Sequence, residues 1–143
     1  MIVKTILAEK GSDVITIEPT ATLAEAMRLL AEHRIGALVV TGAGNRIVGI
    51  VSERDVVRTL AAQGVEALHT PLSEAMTRKV VTCTCTETVA GLMEQMTSRK
   101  FRHMPVVEND QLLGIVSIGD VVKMRVREME HEHSALRDYI QTA

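Results

Sequence analysis

A repeat runs through this chain and decides what it can fold into. Val14-Ile15-Thr16-Ile17, leading to Thr22-Leu23-Ala24-Glu25-Ala26-Met27, returns 66 residues later as Val80-Val81-Thr82-Cys83, leading to Thr88-Val89-Ala90-Gly91-Leu92-Met93. Val, Thr, Thr, Ala and Met recur in register. A second block, Gly49-Ile50-Val51-Ser52-Glu53-Arg54-Asp55-Val56-Val57, returns at an offset of 65 as Gly114-Ile115-Val116-Ser117-Ile118-Gly119-Asp120-Val121-Val122. One residue is therefore lost in the turn between the blocks. Self-similarity of this kind means two copies of one supersecondary unit. A unit of roughly 50 residues buries too little surface to stand alone, so the two are expected to pack sheet against sheet around a shared core.

Periodicity gives the elements of each unit. Val14–Ile17 is a short β-branched run ended by Glu18-Pro19, which predicts a strand. Thr22, with Glu25 three residues on, predicts a helix N-terminus, and Leu23, Ala26, Met27 and Leu30 fall on one face of that helix. Ala37–Val40 reads as a buried strand, Thr41–Asn45 as a turn, Ile47–Val51 as the returning strand and Asp55–Ala62 as a helix. The second unit repeats the order: strand Val80–Cys83, helix Thr88–Thr97, strand Met104–Val107, turn Glu108-Asn109-Asp110, strand Leu112–Val116, and a last helix from about Gly119 towards Ile140. The expected fold is thus α/β (α+β): two pseudo-symmetric βαββα units with three-stranded sheets. Unit one spans 5–63 and unit two 72–128, followed by a helical extension over 129–143. Gly64–Arg78, with Pro71, connects the units and holds a helical turn at Ser73–Met76.

Composition narrows the function. Aromatics are nearly absent, Phe101 and Tyr139 only, so the core must be aliphatic and no stacking platform for single strands exists. The net charge of −2 comes from interspersed signs, with no basic stripe for a phosphate backbone, which argues against a nucleic-acid partner. No run of 18 apolar residues reads as a membrane span, and Met1–Thr5 opens no signal peptide. A cytoplasmic location is expected. Cys83 and Cys85 alternate with threonines on one predicted strand; neighbours on a strand sit poorly for a disulfide, and two thiolates alone make no zinc site. They read as packing residues. His131 and His133 point about 200° apart on a helix and cannot share a metal. No nucleophile-base ordering or Walker loop is present, so no catalytic residue is assigned and an enzyme is not expected.

The second repeated block carries the chemistry. Gly49 and Gly114 permit close backbone approach within a strand. Ser52 and Ser117 stand where strand gives way to helix, and a hydroxyl beside helix N–H groups suits a phosphate. Asp55 and Asp120 follow one turn later, and a carboxylate matches the vicinal hydroxyls of a ribose. The same Ser-x-x-Asp spacing is also that of a capping box, in which serine and acid satisfy the helix's own donors.

The paired Gly-Ile-Val-Ser-x-x-Asp-Val-Val, preceded in the second unit by Arg102-His103-Met104-Pro105-Val106-Val107, resembles the signature of tandem CBS domains over residues 3 to 128. That resemblance implies a Bateman-type module with two clefts between the units. One cleft would draw on Thr16, Ile35, Gly36, Ala37, Arg102, His103, Ile115, Ser117 and Asp120. The pseudo-symmetric one would draw on Thr82, Phe101, Arg102, His103, Ile50, Ser52, Arg54 and Asp55. In these roles Asp120 holds ribose, Ser117 with Arg102 and His103 meets phosphate, and Ile115 flanks adenine. Arg102-His103 aligns with the uncharged Gly36-Ala37, so the Asp120 cleft is expected to bind phosphate-bearing ligands more tightly.

The function implied is regulatory sensing of an adenine nucleotide (AMP, ADP, ATP or NAD), with no obligatory cofactor, in a homodimer that reports to a protein partner. S-adenosylmethionine is a weaker third reading, since a sulfonium cation would not seek Arg102 and His103. The competing function is a ligand-free module for dimerisation or protein interaction, its Ser-x-x-Asp motifs serving only as caps. Met124, Val126, Met129, Leu136 and Ile140 offer apolar positions for such a partner.

Overall fold

The computed structural model describes residues 1–142. Helix α1 (Val3–Lys10) comes first. It is followed by β1 (Thr16–Ile17), α2 (Leu23–His33), β2 (Ala37–Thr41), β3 (Ile47–Ser52) and α3 (Glu53–Gln63). A 3₁₀ segment (Gly64–His69) and α4 (Leu72–Ala75) lead to α5 (Val89–Arg99), β4 (His103–Glu108), β5 (Gln111–Ser117) and the long α6 (Ile118–Thr142).

The repeat shows in local chemistry. Thr22 Oγ1 accepts from the Glu25 amide at 3.3 Å and Thr88 Oγ1 from the Gly91 amide at 3.0 Å, so both second helices start on a threonine cap. Both end on a basic residue in the left-handed region, Arg34 at φ 53° and Lys100 at φ 59°. The β4–β5 hairpin closes on Asn109 and Asp110, both at positive φ, as the twist of a two-residue hairpin demands.

The sheets differ from the expected matched pair. The first has order β1-β2-β3, with β1 parallel and β3 antiparallel to β2. The second has only β4 and β5, and the run Val80–Cys83 contributes a single parallel bridge, Cys83 to Val106. Pro105 is the reason. Cys83 donates to Pro105 O at 3.0 Å and accepts from Val107 N at 2.9 Å. The next rung of a parallel ladder would run from the residue-105 amide to the Val81 carbonyl, and proline has no N–H.

The single shared core is likewise replaced by two clusters. One gathers Leu23, Leu30, Leu38, Val40, Val51 and Val56 with Ala67, Leu72 and Met76. The other gathers Cys83, Val89, Leu92, Met96, Met104, Val106, Val116, Val121 and Met124 with Val3 and Ile6. Each cluster thus takes its entering helix from the segment before the other repeat. α1, absent from the sequence reading, belongs to the second core, and α4 to the first. Matching backbone clamps hold them: Val3 N to Glu87 O and Val89 N to Met1 O on one side, Leu72 N to Ala21 O and Leu23 N to Thr70 O on the other, all at 2.8–3.0 Å.

Candidate functional site

β3 and β5 each pass through a glycine, Gly49 and Gly114, end on a serine and break directly into a helix. At the first junction Asp55 Oδ2 accepts from the Ser52 amide at 2.9 Å and the Ser52 hydroxyl at 3.0 Å, while the Asp55 amide donates to Ser52 Oγ at 3.3 Å. At the second, Asp120 Oδ2, Ser117 N and Ser117 Oγ repeat the pattern at 2.9, 3.0 and 3.2 Å. Both Ser-x-x-Asp motifs are therefore complete capping boxes. The two junctions part in the further donor each carboxylate accepts: Thr77 at Asp55 Oδ1 and Lys10 at Asp120 Oδ2.

Asp55 is buried at 7 % exposure, yet it lines a cleft of about 290 Å³ between the repeats. Its Oδ1 accepts from Thr77 Oγ1 at 3.0 Å, which leaves acceptor capacity on that oxygen. The same cleft is lined by Ile50, Ser52 and Arg54 from the first repeat and by Phe101, Arg102 and His103 from the second. Seven of the eight residues expected around Asp55 are thus brought together. Thr82 is the exception: it is exposed, and Val80 and Val81 line the wall instead. Gly36, expected in the other cleft, lies here too. Sequence reasoning missed Glu53, Arg58, Thr77, Lys79 and Lys100. Arg58 sits one helical turn beyond Arg54, and Lys100 ends α5 beside Phe101, so the signal available was their adjacency to motif residues.

The Asp120 junction is closed by Lys10, from the end of α1. Its ammonium donates to Asp120 Oδ2 at 2.7 Å and to the Ile115 carbonyl at 3.0 Å. Ile115 is the pseudo-symmetric partner of Ile50, whose carbonyl instead accepts from the Thr77 amide at 2.9 Å. Burial raises the Asp120 carboxyl, but the hydrogen bonds from Lys10 and Ser117 and the lysine charge outweigh it and hold it below its ordinary value. Thr16, Ile35, Ala37, Ile115, Ser117 and Asp120 line no part of the Asp55 cleft.

His103 faces Gly36 across the junction of the repeats. A Cβ built on Gly36 would meet His103 Nε2 at 3.0 Å and Cε1 at 3.1 Å, so the missing side chain is what admits the ring. Burial pushes the His103 pKa below its ordinary 6.5, against the upward pull of Glu53. The unfolded chain takes up this proton as pH falls through about 6.5, and the folded chain only at lower pH. Stability is therefore expected to decline as pH drops from 6.5 towards the folded value. Thermal denaturation of His103→Gln, which removes this proton uptake, is expected to show a shallower decline.

The cysteines differ in surroundings. Cys83 is 1 % exposed, and burial, with Glu87 and Cys85 adding, pushes its thiol up to about 12, the condition of an inert packing residue. Among the described residues no group of three or more His, Cys, Asp or Glu side chains is placed to hold a metal ion, and no helix is long and apolar enough to cross a membrane.

Comparison with known proteins places this architecture. The CBS domain family matches residues 3–62 and again 72–127. A mitochondrial CBS domain-containing protein of Arabidopsis thaliana is 37 % identical over 84 % of this chain, which spans 60 % of that relative's length. The crystal structure of a CBS-domain containing protein from Agrobacterium tumefaciens superposes with a TM-score of 0.85 at 49 % identity, covering 87 % of this chain and 99 % of that one. The CBS domain pair of protein MJ0100, solved with 5′-methylthioadenosine and S-adenosyl-L-methionine, superposes at 0.78 with 26 % identity, over 90 % and 98 % of the two chains. Two matches in register with two interlocked cores leave one conclusion: the chain belongs to the CBS domain family, as a tandem pair.

Proposed function

We propose that this CBS pair is a non-catalytic regulatory module whose Asp55 cleft binds a phosphate-bearing adenosine ligand of the AMP, ADP, ATP or NAD class. The charge of that cleft carries the reading. Arg54, Arg58, Lys79, Lys100 and Arg102 line it, against only Glu53 and Asp55 as carboxylates. Five cations around one cavity favour phosphate, and Asp55 Oδ1, with one bond from Thr77, keeps an acceptor site for a ribose hydroxyl. Ligand pockets run from roughly 300 to 1,000 Å³, and a cavity of about 290 Å³ suits a mononucleotide better than a dinucleotide. The ligands of the MJ0100 pair support adenosine in a cleft of this family; the cationic lining here turns the choice from a sulfonium towards a phosphate.

The Asp55 cleft, rather than the Asp120 side that the sequence favoured, is the proposed principal site, because the cations gather there and Lys10 already bonds Asp120 Oδ2 and the Ile115 carbonyl. Lys10→Met is expected to release both and to raise the number of AMP molecules bound per chain from one towards two, read by titration calorimetry. Because the cleft draws on both repeats, a ligand bridging it favours one arrangement of them, and a partner reads the shift. Thermal denaturation with AMP tests the proposal. At about 100 times its Kd a ligand stabilises the folded chain by roughly 2.7 kcal/mol, and S-adenosylmethionine at the same concentration is expected to do far less.

A second reading has its own observation. Both Ser-x-x-Asp pairs are complete capping boxes, which is all that a ligand-free module for dimerisation or protein interaction would require. The homodimer expected from the sequence is common to both readings.

A further inference from the structure

Every α6 side chain from Glu130 to Thr142 is exposed. The helix runs 25 residues, about 37 Å. Val122, Val126, Met129, His133, Leu136 and Ile140 succeed one another along it at spacings of four, three, four, three and four. That is the alternation of a heptad seam, with Val126, His133 and Ile140 at a and Val122, Met129 and Leu136 at d. The five apolar members are all exposed, Met129 at 56 %, Leu136 at 58 % and Ile140 at 66 %. The side chains that fix α6 to the core, Val121 and Met124, lie roughly 100° and 160° round the helix from the seam, so the seam is free to meet a partner.

The flanking charges choose the partner. Arg125 and Glu132 occupy g positions, Glu130 and Arg137 occupy e positions. In a parallel pair each g residue meets the e residue five places on in the other helix. Arg125 then meets Glu130 and Glu132 meets Arg137, opposite signs at both, and twofold symmetry makes each pair twice. An antiparallel pair covering the same layers sets Glu130 against Glu130, Glu132 against Glu132 and Lys123 against Arg137, which are like charges throughout. Within the single chain Arg125 turns to its own Glu128 at 2.8 Å, and Glu132 makes no ion pair among the described residues.

We propose that α6 of two copies of this chain joins through this seam as a parallel coiled coil, with His133 as the polar layer that fixes register. It rests on the homodimer of the functional reading and not on the ligand. The test is sedimentation of the full chain beside Leu136→Asp, together with disulfide trapping in two Cys85→Ser variants. Leu136→Cys places thiols face to face at a parallel d layer, whereas Ser134→Cys places them on the outer face. The expected result is a dimer for the native chain and a monomer for Leu136→Asp, with AMP binding unchanged. Interchain disulfide is expected in Leu136→Cys and none in Ser134→Cys. A monomeric native chain, a Leu136→Asp variant that stays dimeric, or equal trapping at both positions overturns the coiled coil. Loss of AMP binding in the native chain bears on the cleft alone.

Discussion

Asp55→Asn is expected to weaken AMP binding about 100-fold. With Ser52 and Thr77 already donating to it, the native carboxylate has one acceptor site left for a ribose hydroxyl, a charge-assisted bond of roughly 1.5–3 kcal/mol, and a factor of 100 is about 2.7 kcal/mol. The amide keeps the shape of the side chain but has a single acceptor oxygen, which cannot serve Ser52, Thr77 and a ribose together. Stability also falls, because the capping box is weakened, by about 0.5–2 kcal/mol. The two effects separate the two readings of the motif. Calorimetry showing lost binding beside a modest drop in Tm assigns Asp55 to the ligand. A drop in Tm with AMP affinity unchanged assigns it to the cap.

Ile6→Ala is expected to destabilise the chain by about 2–4 kcal/mol and to lower Tm by roughly 10 °C. Ile6 is 3 % exposed and sits in the second core with Val89, Leu92 and Met124, far along the chain. Truncation leaves a cavity that α1 cannot close, since its backbone is clamped to Glu87 and Cys85 at 2.9 and 3.0 Å. Because Lys10 ends the same helix, the variant is also expected to loosen the Lys10–Asp120 pair. Chemical denaturation measures the first effect. Equal stability of Ile6→Ala and the native chain would mean that α1 is a surface appendage and not part of the core.

What could be read in advance was what is local. Thr22 and Thr88 before apolar helix faces, the apolar runs Ala37–Val40 and Met104–Val107, and the paired Ser-x-x-Asp blocks are all signals within a few residues of one another. They yielded the repeat, the family and seven of the residues that meet in the Asp55 cleft. What lay hidden depends on distant partners. Val3 and Ile6 are too few to show a helix by periodicity, and their core lies in the other repeat. Val80–Cys83 has the composition of a strand, but the missing amide of Pro105 limits it to one bridge. Lys10 and Asp120 are 110 residues apart, and nothing in the motif announces that a lysine closes one junction and a threonine the other. The sequence placed the tighter phosphate site at Asp120, because Arg102-His103 aligns with Gly36-Ala37; the cations gather around Asp55 instead.

The most direct measurement is calorimetric titration of AMP into the native chain beside Asp55→Asn and Asp120→Asn. One AMP per chain, with affinity lost in Asp55→Asn and largely retained in Asp120→Asn, is the result predicted. Absence of heat and of any thermal shift with AMP, or a loss confined to Asp120→Asn, would contradict it.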